Sequence, residues 1–361
     1  MKHICMYNIT TTIKIGGIET FYWEVAKEFQ KQGYDVELVS GKGDYIKYED
    51  IPLKQFSFTS REKILDLGNR FRKWGERISF FRRAWPYLKR QNYDIFFIHK
   101  PLDFFTAYFI KKHSPKTTTV FMSGGEDFYG FDRFFAKYVD HMFAVSKENA
   151  KIISARYHRE VPVVSNGVDI DKFRPMPEAR EELRKRFGIE EDTVLISVGR
   201  IVGWKGFQLV IEALKELPDM HYVLIGDGPY LAELKALVNK FNIEDRVSFL
   251  GAIDNLELPV YLNMGDVFIQ PSIGHEAFGI TLIEAMACGL PVVASYNGGM
   301  KDIVIEGKNG GFFEIKNKKE LQEVLQKIIN LKDKLYPREY VIQNFKWQHT
   351  VQQILKYVDK R

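Results

Sequence analysis

Short apolar runs alternate with amphipathic stretches along nearly the whole chain, the pattern of parallel sheets whose strands are joined by covering helices. The fold class this predicts is α/β. In the first half the runs place strands at His3 to Tyr7, Asp35 to Ser40, Asp94 to Ile98, Thr118 to Met122, Met142 to Val145 and Val161 to Ser165. In the second half they place them at Val194 to Val198, Tyr222 to Ile225, Val247 to Leu250, Val267 to Gln270 and Pro291 to Ala294. Between the halves Asp169 to Arg186 is polar and holds Pro175 and Pro177, whose fixed φ and missing N–H suit a linker. Two sheets of similar size are expected, with domains at 1–168 and 169–344.

Composition changes this picture little. At 361 residues, with 45% hydrophobic and 27% charged positions, the chain is long enough for two separate cores. A net charge of +5 permits anionic partners without selecting one. Cys5 and Cys288 form neither a disulfide framework nor a metal pattern, so a reducing compartment is the simpler reading. MKHICMYNIT lacks a long apolar core, and no window approaches 18 uninterrupted apolar residues. The expected location is cytoplasmic, without a membrane span.

Ligands of open α/β sheets bind beyond the carboxyl ends of strands, so the turns there carry the candidate chemistry. After the first strand, Gly16 and Gly17 precede an expected helix from Ile18 to Gln32; they either let backbone approach a phosphate or simply open the helix. In SVGRIVGWKGF, Arg200 and Lys205 follow a strand and could together grip a diphosphate, a fork and a point charge. In LIGDGPYLAELK, Gly226 and Gly228 flank Asp227, whose charge argues against a phosphate loop and for a helix-entry turn near a ligand. In PSIGHEAFGITLIEAMACGLPVVAS, Glu276 and Glu284 stand on either side of Phe278 and Gly279, where an amphipathic helix should begin. Two carboxylates can hold sugar hydroxyls while the helix-end N–H groups face an anion, which suits a sugar bonded to a phosphate.

The order and spacing of SNGVDIDKFRP, VGRIVGWKGF, IGDGP, VSFLGAI and PSIGHEAFGITLIEAMACGLPVVAS, with GGIETF and DHMFAVSKENAKII in the first half, resemble the family-four, group 1 glycosyltransferases. The resemblance implies the GT-B fold, two Rossmann-like domains facing across a cleft, with the acceptor on the N-terminal side and the nucleotide-sugar mainly on the C-terminal side. It also implies that residues 345–361 form a last helix crossing back to the N-terminal domain. Carried over by resemblance, Glu284 binds the donor ribose and Glu276 the hydroxyls of the transferred sugar. The backbone of Phe278, Gly279 and Ile280, with Arg200, Lys205, Gly226 and the Gly16–Gly17 turn, surrounds the rest of the donor. Glu276, Arg200 and Lys205 are the expected catalytic groups. The implied activity is a retaining hexosyl transfer to a hydroxyl acceptor, by front-face attack without a protein nucleophile, in surface polysaccharide or glycolipid assembly. A nucleotide-sugar epimerase or a non-catalytic nucleotide-sugar-binding protein is the alternative. No cofactor is expected, since the nucleotide-sugar is a substrate and Arg200 with Lys205 can neutralise charge as a metal would. Asp169 and Asp171 spell an acidic dyad, but their setting suits a turn in which Asp accepts backbone N–H groups.

Two departures from the family stand out. Relatives carry a histidine after the strand matching Thr118 to Met122, where this chain has Ser123, Gly124 and Gly125. His99, one strand earlier, is the alternative histidine, and Ser123, Glu126 and Asp127 are candidates for contacts to acceptor or sugar. In GGMKDIV, Lys301 and Asp302 replace the usual proline and glutamate. The first half also holds a basic segment: residues 61–90 carry ten Lys or Arg against three Asp or Glu. Ile64, Leu67, Phe71, Trp74, Ile78, Phe81, Trp85 and Leu88 recur at helical spacing within it, predicting one helix with an apolar, aromatic stripe. The stripe either packs on the sheet or lies on lipid, and the basic back can attract an anionic membrane on its cytoplasmic face. A lipid-linked acceptor is therefore a candidate partner. Nucleic acid is not, for no recognition motif accompanies the charge.

Overall fold

A computed structural model describes residues 1–14, 16–189 and 193–359. The chain divides into two compact units, Met1–Asn166 joined by the segment from Trp347, and Gly167–Lys346. The final residues 360 and 361 of the expected last helix lie outside the described residues.

The first unit is built on β1 (His3–Tyr7), β2 (Asp35–Gly41), β3 (Leu53–Phe56), β4 (Ile95–Ile98), β5 (Thr118–Ser123) and β6 (His141–Ala144). All pair in parallel, in the order β3-β2-β1-β4-β5-β6. Its helices are α1 (Gly17–Lys31), α2 (Asn69–Leu88), α3 (Phe104–His113), α4 (Asp132–Ala136) and α5 (Lys147–Tyr157). The near-continuous burial of β1, β4 and β5 follows from helices on both faces, and it explains their unbroken apolar reading. One face holds Tyr7, Phe80, Phe96, Phe104 and Phe121 in a single aromatic core.

The second unit repeats the plan with β7 (Thr193–Val198), β8 (Met220–Ile225), β9 (Val247–Gly251), β10 (Val267–Gln270), β11 (Val292–Ser295) and β12 (Gly310–Phe313). Its order is β12-β11-β10-β7-β8-β9, again all parallel. Around it lie α6 (Pro177–Phe187), α7 (Phe207–Leu214), α8 (Leu231–Phe241), α9 (Leu258–Leu262), α10 (Ile280–Ala287), α11 (Lys318–Leu331) and α12 (Pro337–Asn344). The chain then returns to the first unit as α13 (Trp347–Val358), where Trp347 meets Phe21 of α1 edge-on and Thr350 donates to the Ser165 carbonyl. Both sheets therefore have the doubly wound order, with the strand sequence reversing between β1 and β4 and between β7 and β10.

Several expectations change. Val161 to Ser165 is not a strand: Pro162 has no N–H to give, and only one bridge, Ala144 to Val163, forms. Much of the expected linker is helical, because Pro177 occupies the first turn of α6, where a missing N–H is harmless. Residues 60–90 are not one helix. A short 3-10 turn at Arg61–Lys63 is separated from α2 by a non-helical stretch ending at Gly68, whose φ of 97° only glycine adopts readily. The apolar stripe divides accordingly: Phe81 and Leu88 are buried, while Leu67, Phe71 and Trp74 are exposed. Among the described residues no helix is long and apolar enough to cross a membrane.

Candidate functional site

The turns after β7 and β10, at the switch point of the second sheet, come together around Glu276. Its Oε1 accepts from Lys205 Nζ at 2.5 Å, Ser272 Oγ at 2.7 Å and Gln270 Nε2 at 3.1 Å, and Thr281 Oγ1 holds Gln270 in turn at 2.9 Å. Lys205 and Glu276, 71 residues apart, are thus bonded to each other. Both side chains stay partly accessible, and Arg200 is exposed beyond Gly199.

Backbone packing fixes the loops that carry these groups. The Trp204 carbonyl accepts from Ile273 N and Gly274 N, tying the Lys205 turn to the Glu276 loop. On the other side Gly299 N donates to the Glu276 carbonyl at 2.7 Å, and Asn297 Nδ2 donates to the Ser272 and Gly274 carbonyls. Gly206, at φ 75°, leaves no room for a side chain: a Cβ would fall on the Pro271 carbonyl, with its carbon at 2.9 Å and its oxygen nearer still. Gly226 has the same need. Its Cβ would run into the Gly199 carbonyl, so this glycine lets the end of β8 lie on the end of β7.

The helix after Glu276 begins at Ile280, with Gly279 as its N-cap at φ 104°. It is not amphipathic as expected, since Leu282 through Ala287 are all buried. Glu284 is among them at 5% exposure, which removes any reading of it as a solvated surface charge. Phe278 turns its ring inward against Phe345, so the Phe278 to Ile280 stretch offers backbone rather than side chain. Asp169 Oδ1 accepts from Asp171 N and Lys172 N at 3.0 Å each, a turn role.

The first unit holds its candidates differently. Gly16 caps α1 with extended backbone, and Gly17 is open, with nothing near a notional Cβ. Glu19, which sequence reasoning missed, is buried in the first turn of that helix and accepts from Thr10 Oγ1 at 2.5 Å, so a carboxylate already sits at this N-terminus. Ser123 is buried, and its hydroxyl donates to the Gly125 carbonyl at 3.0 Å, shaping its own turn rather than presenting itself to a ligand. His99 lies against Phe21 and Tyr22 with its Nε2 beside Gly124, and neither ring nitrogen finds a partner. Burial, aided by the charges of Lys100 and Arg77, pushes its pKa well below the ordinary 6.5. It is an enclosed imidazole whose surroundings favour the neutral form. Glu126 is exposed, whereas Asp127 takes Lys73 on one oxygen and Lys100 on the other.

Two doubly wound sheets, with a cation–carboxylate pair and a helix N-terminus at the switch point of the second, put these groups where open α/β sheets bind ligands. The description "Glycosyl transferases group 1" matches residues 179–346, and "Glycosyltransferase Family 4" matches residues 15–172. The chain belongs to this family of GT-B glycosyltransferases. It is 38% identical over 154 residues to the GDP-mannose-dependent alpha-(1-6)-phosphatidylinositol monomannoside mannosyltransferase of Mycolicibacterium smegmatis, covering 40% of each chain. It is 34% identical over 169 residues to the 2-deoxystreptamine glucosyltransferase of Streptomyces kanamyceticus, covering 44% of this chain and 43% of that one. The chain spans about half the length, or less, of these curated relatives. In fold it is similar to Anabaena Alr3699/HepE solved with UDP-glucose, with a TM-score of 0.82 at 21% identity over 100% of both chains.

Proposed function

We propose that this glycosyltransferase moves a hexosyl group from a nucleotide-sugar to a hydroxyl acceptor with retention of configuration, in glycolipid or polysaccharide assembly. The observation that carries the reading is the bonded pair of Lys205 and Glu276 at the β7–β10 switch point, beside Arg200 and the N-terminus of α10. A donor laid across this pair puts its breaking bond between opposite charges. Negative charge growing on the leaving phosphate meets Lys205, Arg200 and the helix-end N–H groups; positive charge growing at the sugar carbon meets Glu276. Opposite unit charges about 4 Å apart attract by about 4 kcal/mol at an effective dielectric of 20, so a fixed pair discriminates the separated-charge transition state from the neutral bond. In a front-face displacement the acceptor oxygen bonds to the anomeric carbon as the phosphate leaves, and the departing phosphate oxygen takes the acceptor proton. No protein nucleophile is then needed, and Arg200 with Lys205 supplies the positive charge that a metal gives elsewhere. Buried Glu284, behind the pair on α10, is the group assigned to the donor ribose.

A lipid-linked or membrane-proximal acceptor is supported by the exposed Arg70, Arg82 and Arg83 of α2 and its exposed aromatics, and by the relative named for acting on a phosphatidylinositol monomannoside. On this reading the protein works at the cytoplasmic face of a membrane. The test is thermal unfolding against UDP-, GDP-, ADP- and dTDP-sugars with and without EDTA, followed by NMR of the product's anomeric configuration. One nucleotide class should stabilise the protein, EDTA should leave the shift and turnover intact, and the product should keep the donor configuration. Inversion, or loss of turnover in EDTA, would refute the mechanism.

A further inference from the structure

At the carboxyl ends of β4 and β5 the first unit holds an apolar pocket of about 280 Å3. Phe71 and Trp74 of α2, Leu102, Phe105 of α3, and Phe131 and Phe135 around α4 line it. Leu102 and Phe105 are buried at its floor, whereas Phe131 is 78% and Trp74 44% exposed at its rim. Exposed rings gathered around a recess mark a place where an apolar group can be buried.

What enters is indicated by the polar end. Tyr129, which also lines the pocket, donates to Asp127 Oδ1 at 3.2 Å. Lys73 and Lys100 approach the two oxygens of Asp127 at 3.5 and 3.6 Å, so two ammoniums share one carboxylate. Behind them Arg77 and Asp103 neutralise each other in a buried ion pair, leaving the surplus positive charge on the lysines. Burial, and the nearby Arg77, Lys14 and Lys73, lower the Lys100 pKa against the pull of Asp127. Arg70 on the rim adds a further cation.

We propose that this pocket and lysine pair form a binding site for a lipid phosphate: an alkyl or isoprenoid chain enters among Phe71, Trp74, Phe105 and Phe131, and its phosphate displaces part of the Asp127 interaction at Lys73 and Lys100. The lysines lie outside the lining but next in the chain to the lining residues Trp74 and Pro101, and their shared Asp127 is bonded to the lining Tyr129, so recess and lysine pair together suit an amphiphile. The site rests on the reading of the acceptor as lipid-linked and names its chemistry.

The test uses the full chain and octyl phosphate below its micellar concentration, followed by calorimetry, with octanol, inorganic phosphate and vesicles of anionic phospholipid as separate arms. Octyl phosphate should bind at one site, and inorganic phosphate at the same concentration should not. Trp74→Ala with Phe131→Ala should weaken octyl phosphate about tenfold, while Lys73→Gln should weaken it by a similar factor and leave octanol binding unchanged. Both substitutions at the rim fall on exposed residues, and unchanged unfolding midpoints certify the fold. Equal binding of inorganic phosphate, indifference to the rim variants, or binding of vesicles without binding of octyl phosphate would each overturn the proposal, the last in favour of a simple docking face. A nucleotide-sugar thermal shift on the same samples separates the two readings. Octyl phosphate binding without any donor shift would sink the proposed donor site and leave the pocket standing; a donor shift without octyl phosphate binding would do the reverse.

Discussion

Gly206 offers a direct test of whether the backbone packing between the turns after β7 and β10 sets the catalytic geometry. Gly206 and Gly33 have similar positive φ, 75° and 85°, so an alanine at either suffers a left-handed penalty of about 1–2 kcal/mol. Their surroundings differ. A Cβ at Gly33 meets nothing within 4 Å, whereas one at Gly206 lands on the Pro271 carbonyl and also approaches Ile273 Cγ2 at 3.4 Å. Restoring van der Waals distance there requires a shift on the order of 1 Å, and the segment that must move includes Lys205, whose Nζ is bonded to Glu276. Misplacing a catalytic group by about 1 Å costs roughly 100-fold in rate. Gly33→Ala should therefore lower the urea midpoint modestly and leave turnover of the identified donor unchanged. Gly206→Ala should lower turnover about 100-fold, beyond any loss explained by its own stability change. Measurement of kcat and KM beside denaturation midpoints separates the two. If Gly206→Ala behaves like Gly33→Ala in both, the reasoning fails, and the contact with Pro271 does not position Lys205.

Replacing Glu276 by glutamine keeps its shape and removes its charge; kcat for transfer should fall about 100-fold with KM changed far less, and an unchanged kcat would exclude a role at the developing cation. His99, with its folded pKa depressed, contributes stability that is complete above about pH 6.5 and is lost as pH falls, because the unfolded chain then takes up a proton that the folded chain cannot. The loss should run at up to about 1.4 kcal/mol per pH unit, and His99→Phe should flatten the stability profile between about pH 6.5 and 5; an unaltered slope would mean that the imidazole is not enclosed. Asp266 is the opposite kind of group at the foot of the second sheet. Burial raises its pKa, but the Val194 N–H and the Arg180 and Arg184 guanidiniums outweigh that and hold it below the usual carboxylate value. Its contribution is present in full above about pH 4 and is lost as pH falls towards the depressed folded value, so Asp266→Asn should cost about 2 kcal/mol at about pH 7 and less at about pH 3. Urea midpoints at the two pH values check this, and an equal cost at both would remove the ionic explanation.

The buried strands were legible because a parallel sheet covered on both faces needs uninterrupted apolar runs, and β1, β7 and β10 begin and end within a residue of where those runs do. Of the edge strands, β6 and β9 were legible too, but β3 and β12 were not. Leu53–Phe56 has two exposed polar residues at its centre, and Gly310–Phe313 opens with two glycines that read as a turn. Yet Gly310 pairs with Val292 in the ladder, and it is glycine because a Cβ there would strike the Val292 carbonyl. The candidate site divides along a similar line. That the turns after β7 and β10 matter follows from their place in the chain, but the bond between Lys205 and Glu276 spans 71 residues and depends on which strands become neighbours. Likewise, nothing local reveals that His99 is enclosed by Phe21 and Tyr22 or that Ser123 bonds within its own turn. The glycines show most plainly what sequence reading misses. Gly206, Gly226 and Gly228 each lie where the backbone of another loop passes too close for any side chain, which nothing local in the chain reveals. Glycine richness at this switch point therefore records crowding between the protein's own strands, and that crowding holds Arg200, Lys205 and Glu276 on loops with little freedom to move. A transferase that stabilises charge by fixed groups requires this, because groups that must reorganise during the reaction return part of the stabilisation they provide.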